Sequence, residues 1–357
     1  MITNKKRRVA APVNASVTRR NVRGILLRTI SFIFLAAFPI APHAQPQERA
    51  GHARPKVAAQ QSAKLLISDD VVAHTLTLRL GPLDLPAKTD HGAMLQAPEL
   101  FWTISMDAWL ISFASRIVDQ NGHAVPKNLL QHVALRHTGR SDFLCPNKEE
   151  QIYAADGEMY EWPALHGYGY EVKRGDQIRI FSAVYNSTAT AYPQAFLEIR
   201  MGYQTLANGA ATQALKNIFP AWLDVQQCDE SVYELNPGLN VRSGQFQFRQ
   251  AGTLLNLRGH LRDFGRRIEI ADEARDTPVA RLEAQLDPQG HVLSMPIVDF
   301  QSFGGYKIAS GARLRVTVLY QNPTERTLPD AATGIAVGYF VPDDEKAMLA
   351  FRRPAKR

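Results

Sequence analysis

The feature that most constrains this chain is an internal repeat. Residues 169–203 superpose on residues 305–339 without a gap, and eleven of the 35 aligned positions are identical. In each copy a glycine turn leads into an alternating strand, a polar turn around an Asn and a Thr follows, and a return strand ends in Gly-Tyr. Such self-similarity requires two copies of one structural unit. We therefore expect each copy to be the closing hairpin of a separate β domain.

Strand patterns also dominate the rest of the chain. Residues 74–80 alternate between polar and apolar, and further alternating segments follow, separated by Gly, Pro and Asn turns. Many short strands with few helices predict an all-β fold of two tandem antiparallel jelly-roll or β-sandwich domains. The predicted divisions are a signal peptide (1–44), a disordered tether (45–63), an N-terminal β-sandwich (64–205), a linker with a short helix at 210–218 (206–240), a C-terminal β-sandwich (241–342) and a mobile tail (343–357).

The first 44 residues have the order of charge and apolarity that export requires. Eight Lys and Arg precede an apolar run at 30–41, which is too short for a permanent transmembrane helix and ends in a small-residue cleavage region near Ala44. The pair Arg19-Arg20 leaves both general secretion and twin-arginine export open. We expect a periplasmic or secreted protein with no membrane span in the mature chain.

Removing this leader changes the charge of the chain. The full sequence holds 41 basic and 34 acidic residues, and 33 basic residues remain after cleavage against the same 34 acids. A mature chain without basic excess lacks the electrostatic attraction that non-specific nucleic-acid binding needs. We therefore expect no nucleic-acid partner, and the small-molecule, peptide or protein ligand is left open.

Only two cysteines are present, Cys145 and Cys228. In an oxidising compartment such a pair favours a disulfide, which closes a long loop and stabilises the fold by up to about 4 kcal/mol in the chain-entropy model. Two buried thiols are the alternative.

Two strand histidines are the candidates for chemistry. His132 shares a strand face with Arg136, whereas His137 points to the opposite face, so these two imidazoles should not share a metal. His260 lies late in an apolar strand, and Arg262 shares its face.

The segments Gln131–Leu135 and Gly259–Arg262, followed by 320–342, resemble the two-domain copper type II monooxygenases, of which peptidylglycine alpha-hydroxylating monooxygenase is the type example. The resemblance covers roughly 75–342 and implies two copper sites, one with three histidines and one with His-x-His plus Met. On this chain the first set becomes Gln131, His132 and Tyr185. The second becomes His260, Arg262 and Ala332 or Thr333.

Only His132 and His260 survive from those ligand sets, and a single imidazole gives little copper affinity. Arg262 would repel a cation and would rather hold a carboxylate or another anion. The resemblance therefore implies a non-catalytic relative with no cofactor, which binds a ligand between its domains through Arg262 and Tyr320.

Two alternatives remain open. One is an active copper enzyme with a rearranged ligand set, in which His137, Tyr185 or Asp263 assist His132 and His260. The other is a glycan-binding or glycan-acting protein, since paired jelly rolls also occur in bacterial peptide-N-glycanases. For this alternative, residues 156–162 offer paired acids and aromatics, although acids in a polar loop are usually just solvated. The aromatic stretch His166–Tyr170 could stack on a ligand, but its match to 302–306 favours a structural turn.

Overall fold

The computed structural model describes residues 63–89, 95–206, 215–275 and 277–351. The predicted signal peptide and the predicted tether up to residue 62 lie outside the described residues. In the described part of the chain, no helix is long and apolar enough to cross a membrane.

The prediction of an all-β fold with two tandem antiparallel sandwiches is confirmed. The strands up to residue 217 are β1 Lys64–Asp70, β2 Thr75–Leu85, β3 Leu95–Gln96, β4 Leu100–Thr103, β5 Ala108–Val118, β6 Leu130–Ser141, β7 Glu149–Ala155, β8 Glu161–Trp162, β9 Tyr168–Val172, β10 Gln177–Val184, β11 Tyr192–Thr205 and β12 Lys216–Asn217.

The remaining strands are β13 Phe219–Asp224, β14 Tyr233–Leu235, β15 Gly238–Gln247, β16 Gly252–Leu254, β17 Asn256–Leu261, β18 Gly265–Asp272, β19 Thr277–Glu283, β20 Gln285–Leu286, β21 Val292–Ser294, β22 Ile297–Asp299, β23 Tyr306–Ile308, β24 Arg313–Asn322, β25 Leu328–Ala332 and β26 Gly334–Pro342. Among the described residues, one α-helix, α1, covers Glu345–Phe351, and two short 3-10 turns cover Lys127–Leu129 and Gln301–Phe303.

Each sandwich consists of two facing sheets around its own apolar core. In the first, the order β1-β2-β11-β5-β9-β12 faces the order β3-β10-β6-β7. In the second, the order β22-β17-β26-β16-β23 faces the order β15-β24-β18-β19. Strand alternation produces this arrangement, because one face of each strand supplies Leu, Ile, Val and aromatic side chains to the core while the other face stays free.

The repeated segments are not hairpins, so that prediction is wrong. In the first copy β10 belongs to the five-stranded sheet and β11 to the seven-stranded sheet, and in the second copy β24 and β26 are likewise in different sheets. The polar turn between them is a corner that carries the chain from one sheet to the other. A buried Asn organises each corner, and this hydrogen bonding replaces strand pairing between the two arms.

The corner is the same in both copies. Asn186 Nδ2 donates to the carbonyls of Leu85 and Thr190, and Asn186 Oδ1 accepts from the amide and hydroxyl of Thr188. Asn322 makes the matching four bonds, to the carbonyls of Leu235 and Arg326 and from the amide and hydroxyl of Thr324. Both Asn side chains are 1 % exposed. The repeat seen in the sequence therefore encodes a sheet-to-sheet corner.

Two segments near the predicted boundaries differ from expectation. The described part of the predicted helix at 210–218 contains strand β12, and β13 follows at once, so the second core already begins at Phe219. The predicted mobile tail forms helix α1 over Glu345–Phe351, because Met348 is buried in the second core.

The predicted disulfide between Cys145 and Cys228 is confirmed, with a Cα–Cα distance of 5.6 Å. It ties the β6–β7 loop of the first sandwich to the segment after β13. The two sandwiches also meet along an apolar seam, in which Trp162 lies against Trp222 and Tyr339 at ring-centroid distances of 5.7 and 5.5 Å. The second sandwich contributes the outer face of its six-stranded sheet, so strand alternation supplies both its core and its docking surface.

Candidate active site

A cluster of polar side chains lies in the seam where the first sandwich meets β17 of the second. It is built from Asp156, Glu158 and His260, whose nearest ligand atoms all lie within 4.8 Å of one another. His132 and Arg262 are close enough to act on it electrostatically. We call these five residues the seam cluster.

Asp156 comes directly after β7 and begins a tight turn. Its Oδ1 accepts hydrogen bonds from the amides of Glu158 and Met159, at 2.8 and 2.6 Å, which fixes the carboxylate to its own backbone. The residue is 5 % exposed. The expectation that this acid is merely solvated is therefore wrong, because the second sandwich covers the turn.

His260 completes the pair from the other sandwich. Its Nδ1 lies 2.5 Å from Asp156 Oδ2, and its side chain is 20 % exposed. Burial alone would raise the pKa of Asp156, but the charge of His260 and the hydrogen bonds from His260, Glu158 and Met159 lower it below the ordinary value. Asp156 is thus a carboxylate that orients the imidazole through Nδ1, as an aspartate does in hydrolytic triads.

Glu158 has the opposite character. Burial, the nearby Asp156 charge and a hydrogen bond to Asp156 raise the pKa of Glu158 to about 9. Its carboxyl group therefore keeps its proton at neutral pH. Two carboxyl groups with pKa values pushed apart are the arrangement by which enzymes separate an acid from a base.

His132 lies beside this pair on β6. Val133 pairs with Ala155 across β6 and β7, and one further step in this register sets His132 beside Asp156. The side chain of His132 is exposed, but the surrounding residues reduce its hydration. This reduced hydration is the largest cause that lowers its pKa to about 4, and the charges of Arg262 and His260 come next. His132 is neutral at physiological pH.

Arg262 is half-buried at the end of β17. One guanidinium nitrogen donates to the Asp330 carbonyl at 2.5 Å, and the Arg262 amide donates to the Tyr320 hydroxyl at 2.9 Å. Tyr320 is fully buried, and its hydroxyl also donates to the Thr333 carbonyl. Tyr320, predicted as a ligand-binding residue, thus holds the backbone under Arg262 and does not face solvent.

The other predicted helpers are dispersed. His137 lies on the core side of β6 and pairs with Asp176 at 3.0 Å, as the strand alternation indicated. Tyr185 is half-buried. Its pKa is raised mainly by burial and also by the charges of Asp263 and Glu158, so it borders the seam cluster. Asp263 is exposed, and its Oδ2 lies 4.0 Å from His291 Nε2.

The aromatic residues of the two candidate motifs support the fold. Trp162 is 2 % exposed, and the guanidinium of Arg258 lies 5.1 Å from its ring, so it belongs to the seam core and not to a sugar platform. In the stretch His166–Tyr170, Gly167 adopts φ +81° and Tyr170 is buried with its hydroxyl donating to Glu150 at 2.6 Å. A structural turn is what the repeat favoured for this segment.

Comparisons with known proteins find only distant similarities between solved structures and this chain. No family model and no curated protein matches the chain. Similar solved structures include the major capsid protein P2 from bacteriophage PM2, with TM-score 0.33, 10 % identity and 75 % of this chain against 98 % of that one. For PNGase F the TM-score is 0.37 and the identity 9 %, and the match covers 76 % of this chain and 96 % of that one. For a structure of Sulfolobus turreted icosahedral virus the TM-score is 0.34 and the identity 11 %, with 81 % of this chain and 93 % of that one covered. At these TM-scores the likenesses carry no argument about activity.

The resemblance to copper type II monooxygenases is wrong. The similar structures include capsid proteins and PNGase F, and no copper monooxygenase appears among them. The short motifs around His132 and His260 are strands β6 and β17, and any sandwich needs such alternating segments. The structure joins His132 and His260 in one cluster with Asp156, whereas the resemblance placed them in two separate metal sites.

Proposed function

We propose that this chain is an exported acid–base hydrolase that acts on a carbonyl bond in a glycan-bearing substrate, such as an amide or ester next to a sugar. One observation carries the proposal. The seam cluster holds an oriented imidazole and a protonated carboxyl group within 4.8 Å of each other, where the two sandwiches meet.

The roles follow from the contacts. In the neutral form of His260, Nδ1 donates to Asp156 and Nε2 takes a proton from water, and the water adds to the carbonyl carbon. Glu158 then gives its proton to the leaving group as the bond breaks. The proton on His260 returns to Glu158 through solvent, which restores the starting state. Arg262 supplies positive charge for the developing oxyanion.

The geometry also favours one class of bond over another. Glycosidases hold their two carboxyl groups about 5–5.5 Å apart or more, one on each side of the sugar ring. Here Glu158 is hydrogen-bonded to Asp156, so the two carboxyl groups share one proton from the same side. This arrangement suits attack of water on a carbonyl more than displacement at a sugar carbon.

The proposed mechanism needs no cofactor. Asp156, Glu158 and His260 could together hold a divalent cation, but the guanidinium of Arg262 lies on the same side of β17 as His260 and repels a cation there. A chelator is therefore expected to leave activity unchanged.

The test compares the wild-type mature protein and two variants on an N-linked glycopeptide, an acetylated sugar and an unmodified oligosaccharide. Glu158→Gln should lower kcat/KM for the glycopeptide or the ester about 10²–10⁴-fold, because the proton donor is lost. Glu161→Gln, three residues further on and exposed, is the matched control and should retain full activity. Cleavage of the oligosaccharide alone, or activity that chelation abolishes, would contradict the proposal.

A non-catalytic binding protein is the second candidate. Two polar groups near the site already form hydrogen bonds to the backbone, which favours this candidate. Asp156 Oδ1 and the Tyr320 hydroxyl both bond main-chain groups. Saturable binding of the glycopeptide without turnover would support this candidate over the hydrolase.

The proposed location is the periplasm or the extracellular space. The order of charge and apolarity in residues 1–44 supports it, and the disulfide is of the kind that oxidising compartments permit. Fractionation of cells that express the full chain, with non-reducing electrophoresis of each fraction, tests it: a bridged, shortened protein outside the cytoplasm is expected.

A further inference from the structure

A second polar space lies in the seam next to the disulfide. It is a cavity of about 80 Å³ between the β6–β7 region of the first sandwich and β13 and β26 of the second. Its polar lining includes Arg136, Asp142, Lys148, Glu149, Asp224 and Ser231, and Trp222 and Ile335 supply apolar walls.

The cavity adjoins the seam cluster. Ile335 of β26 pairs with Asp224 on one side and with His260 on the other, so these three side chains share one face of the sheet. On the opposing strand, Arg136 shares the face of His132. A ligand in the cavity therefore lies one strand away from the proposed catalytic imidazole.

Both acids of the cavity are buried without a cationic partner. Asp142 and Asp224 are 5 % and 9 % exposed, and neither forms an ion pair within the described part of the chain. Asp142 Oδ1 accepts only from the amides of Leu144 and Cys145, and burial raises the pKa of Asp142 to about 7. Asp142 Oδ2 is therefore left for a ligand, whereas the Asp224 carboxylate is already bonded to the Gln226 amide and the Ser231 side chain.

The lining of the cavity contains groups of both signs. Arg136 and Lys148 lie with Asp142 and Asp224, and burial raises the pKa of both aspartates, while the remaining acid of the lining, Glu149, is paired with Arg179. A ligand with a single charge meets groups of its own sign in such a lining. A neutral ligand with several hydroxyl groups can donate to the acids and accept from the two cations. The wall formed by Trp222, whose Nε1 is held by the Gln151 carbonyl at 2.6 Å, offers an apolar surface for the C–H face of a sugar ring.

We infer that this cavity binds one neutral monosaccharide unit and positions the adjoining bond at the seam cluster. The inference rests on the proposed function, since it names the part of the substrate that lies beside the bond cleaved. It also assigns a separate binding site that can be measured without turnover.

The test is calorimetric titration of the mature, oxidised protein with single sugars: glucose, galactose, mannose and N-acetylglucosamine, with methylammonium as a charged probe. One or more sugars should bind saturably, with Kd on the order of 1 mM. Ser231→Leu fills the cavity and should weaken that binding at least tenfold, whereas Ser68→Leu, the same change at an exposed position outside the cavity lining, is the control and should retain it. Glu158→Gln should abolish hydrolysis and leave sugar binding unchanged.

The outcomes separate the two ideas. Failure of every sugar to bind, equal binding by Ser231→Leu and wild type, or binding of methylammonium alone would overturn the sugar cavity and leave the hydrolase to be judged by its own assay. Sugar binding that Ser231→Leu removes in a protein without hydrolytic activity would support the cavity and count against the hydrolase. A crystal of the wild-type protein soaked in the sugar that binds should show it against Trp222.

Discussion

The five-stranded sheet of the first sandwich and the four-stranded sheet of the second have the same strand order, β3-β10-β6-β7 and β15-β24-β18-β19. Their registers match residue by residue near one edge. His132 pairs with Ala183 as Arg267 pairs with Leu319, and Val133 pairs with Ala155 as Ile268 pairs with Leu282. By this correspondence, Arg267 and Glu283 are the counterparts of His132 and Asp156.

The two edges have very different surroundings. The side chains of Arg267 and Glu283 are 32 % and 55 % exposed and pair with neighbouring surface charges. The side chain of Asp156 is 7 % exposed, because the second sandwich docks over it and brings His260 to it. The same backbone position is thus an ordinary charged surface in one half and a reactive cluster in the other. Docking of the other sandwich, and not the strand itself, creates the chemistry.

The comparison assumes that the two sandwiches are built alike. Substitution of the two corner asparagines tests this assumption. Asn186→Ala and Asn322→Ala each remove four hydrogen bonds from a buried turn and should each lower the free energy of unfolding by about 3 kcal/mol. Urea denaturation of the oxidised protein measures both. Asn121→Ala, in an exposed turn, is the control and should change stability by less than about 0.5 kcal/mol. If the two substitutions lowered the free energy of unfolding by clearly different amounts, the two corners would not be equivalent.

The second prediction compares the two edges directly. Asp156→Asn leaves His260 without its carboxylate and should cost about 2 kcal/mol of unfolding free energy, since hydrogen bonds to charged groups are the stronger ones. Glu283→Gln, at the counterpart position, should cost less than about 0.5 kcal/mol, because an exposed charge contributes little. Urea denaturation measures both losses. Equal losses of unfolding free energy for the two variants would mean that docking of the second sandwich does not change the contribution of Asp156.

The third prediction concerns pH and is the smallest effect. The pKa of Glu158 is raised from 4.5 to about 9 in the folded protein, so the folded state binds a proton that the unfolded state has lost. This contribution to stability is fully present below pH 4.5 and is lost as the pH rises toward about 9.

Wild type should therefore lose stability relative to Glu158→Gln between pH 5 and pH 9, by on the order of 1 kcal/mol, since the proton is shared with Asp156 and the site opens to solvent. Unfolding curves at pH 5, 7 and 9 measure this difference. Glu283→Gln, the control, should show the pH profile of wild type. A flat difference between wild type and Glu158→Gln would mean that Glu158 is ionised at neutral pH.

Some of the site could be predicted from local pattern. Strand alternation correctly set His132 and His137 on opposite faces, and it placed Arg262 beside His260. The acids were discounted, although Asp156 and Glu158 are part of a motif that the sequence displays. Their position in a polar loop gave no sign of burial, because the covering strand β17 begins 100 residues later in the chain.

The sequence by itself determined the all-β class, the repeated polar turn around Asn186 and Asn322, and the pair of cysteines that forms the disulfide. These depend on local hydrogen bonding, on the two-residue period of a strand and on the compartment, all of which are written along the chain. The tertiary structure alone decided that each repeat joins two sheets and that Asp156 meets His260. Which free sheet faces dock depends on the shape and charge of whole surfaces, and only packing of the two sandwiches removes water from those acids and separates their pKa values.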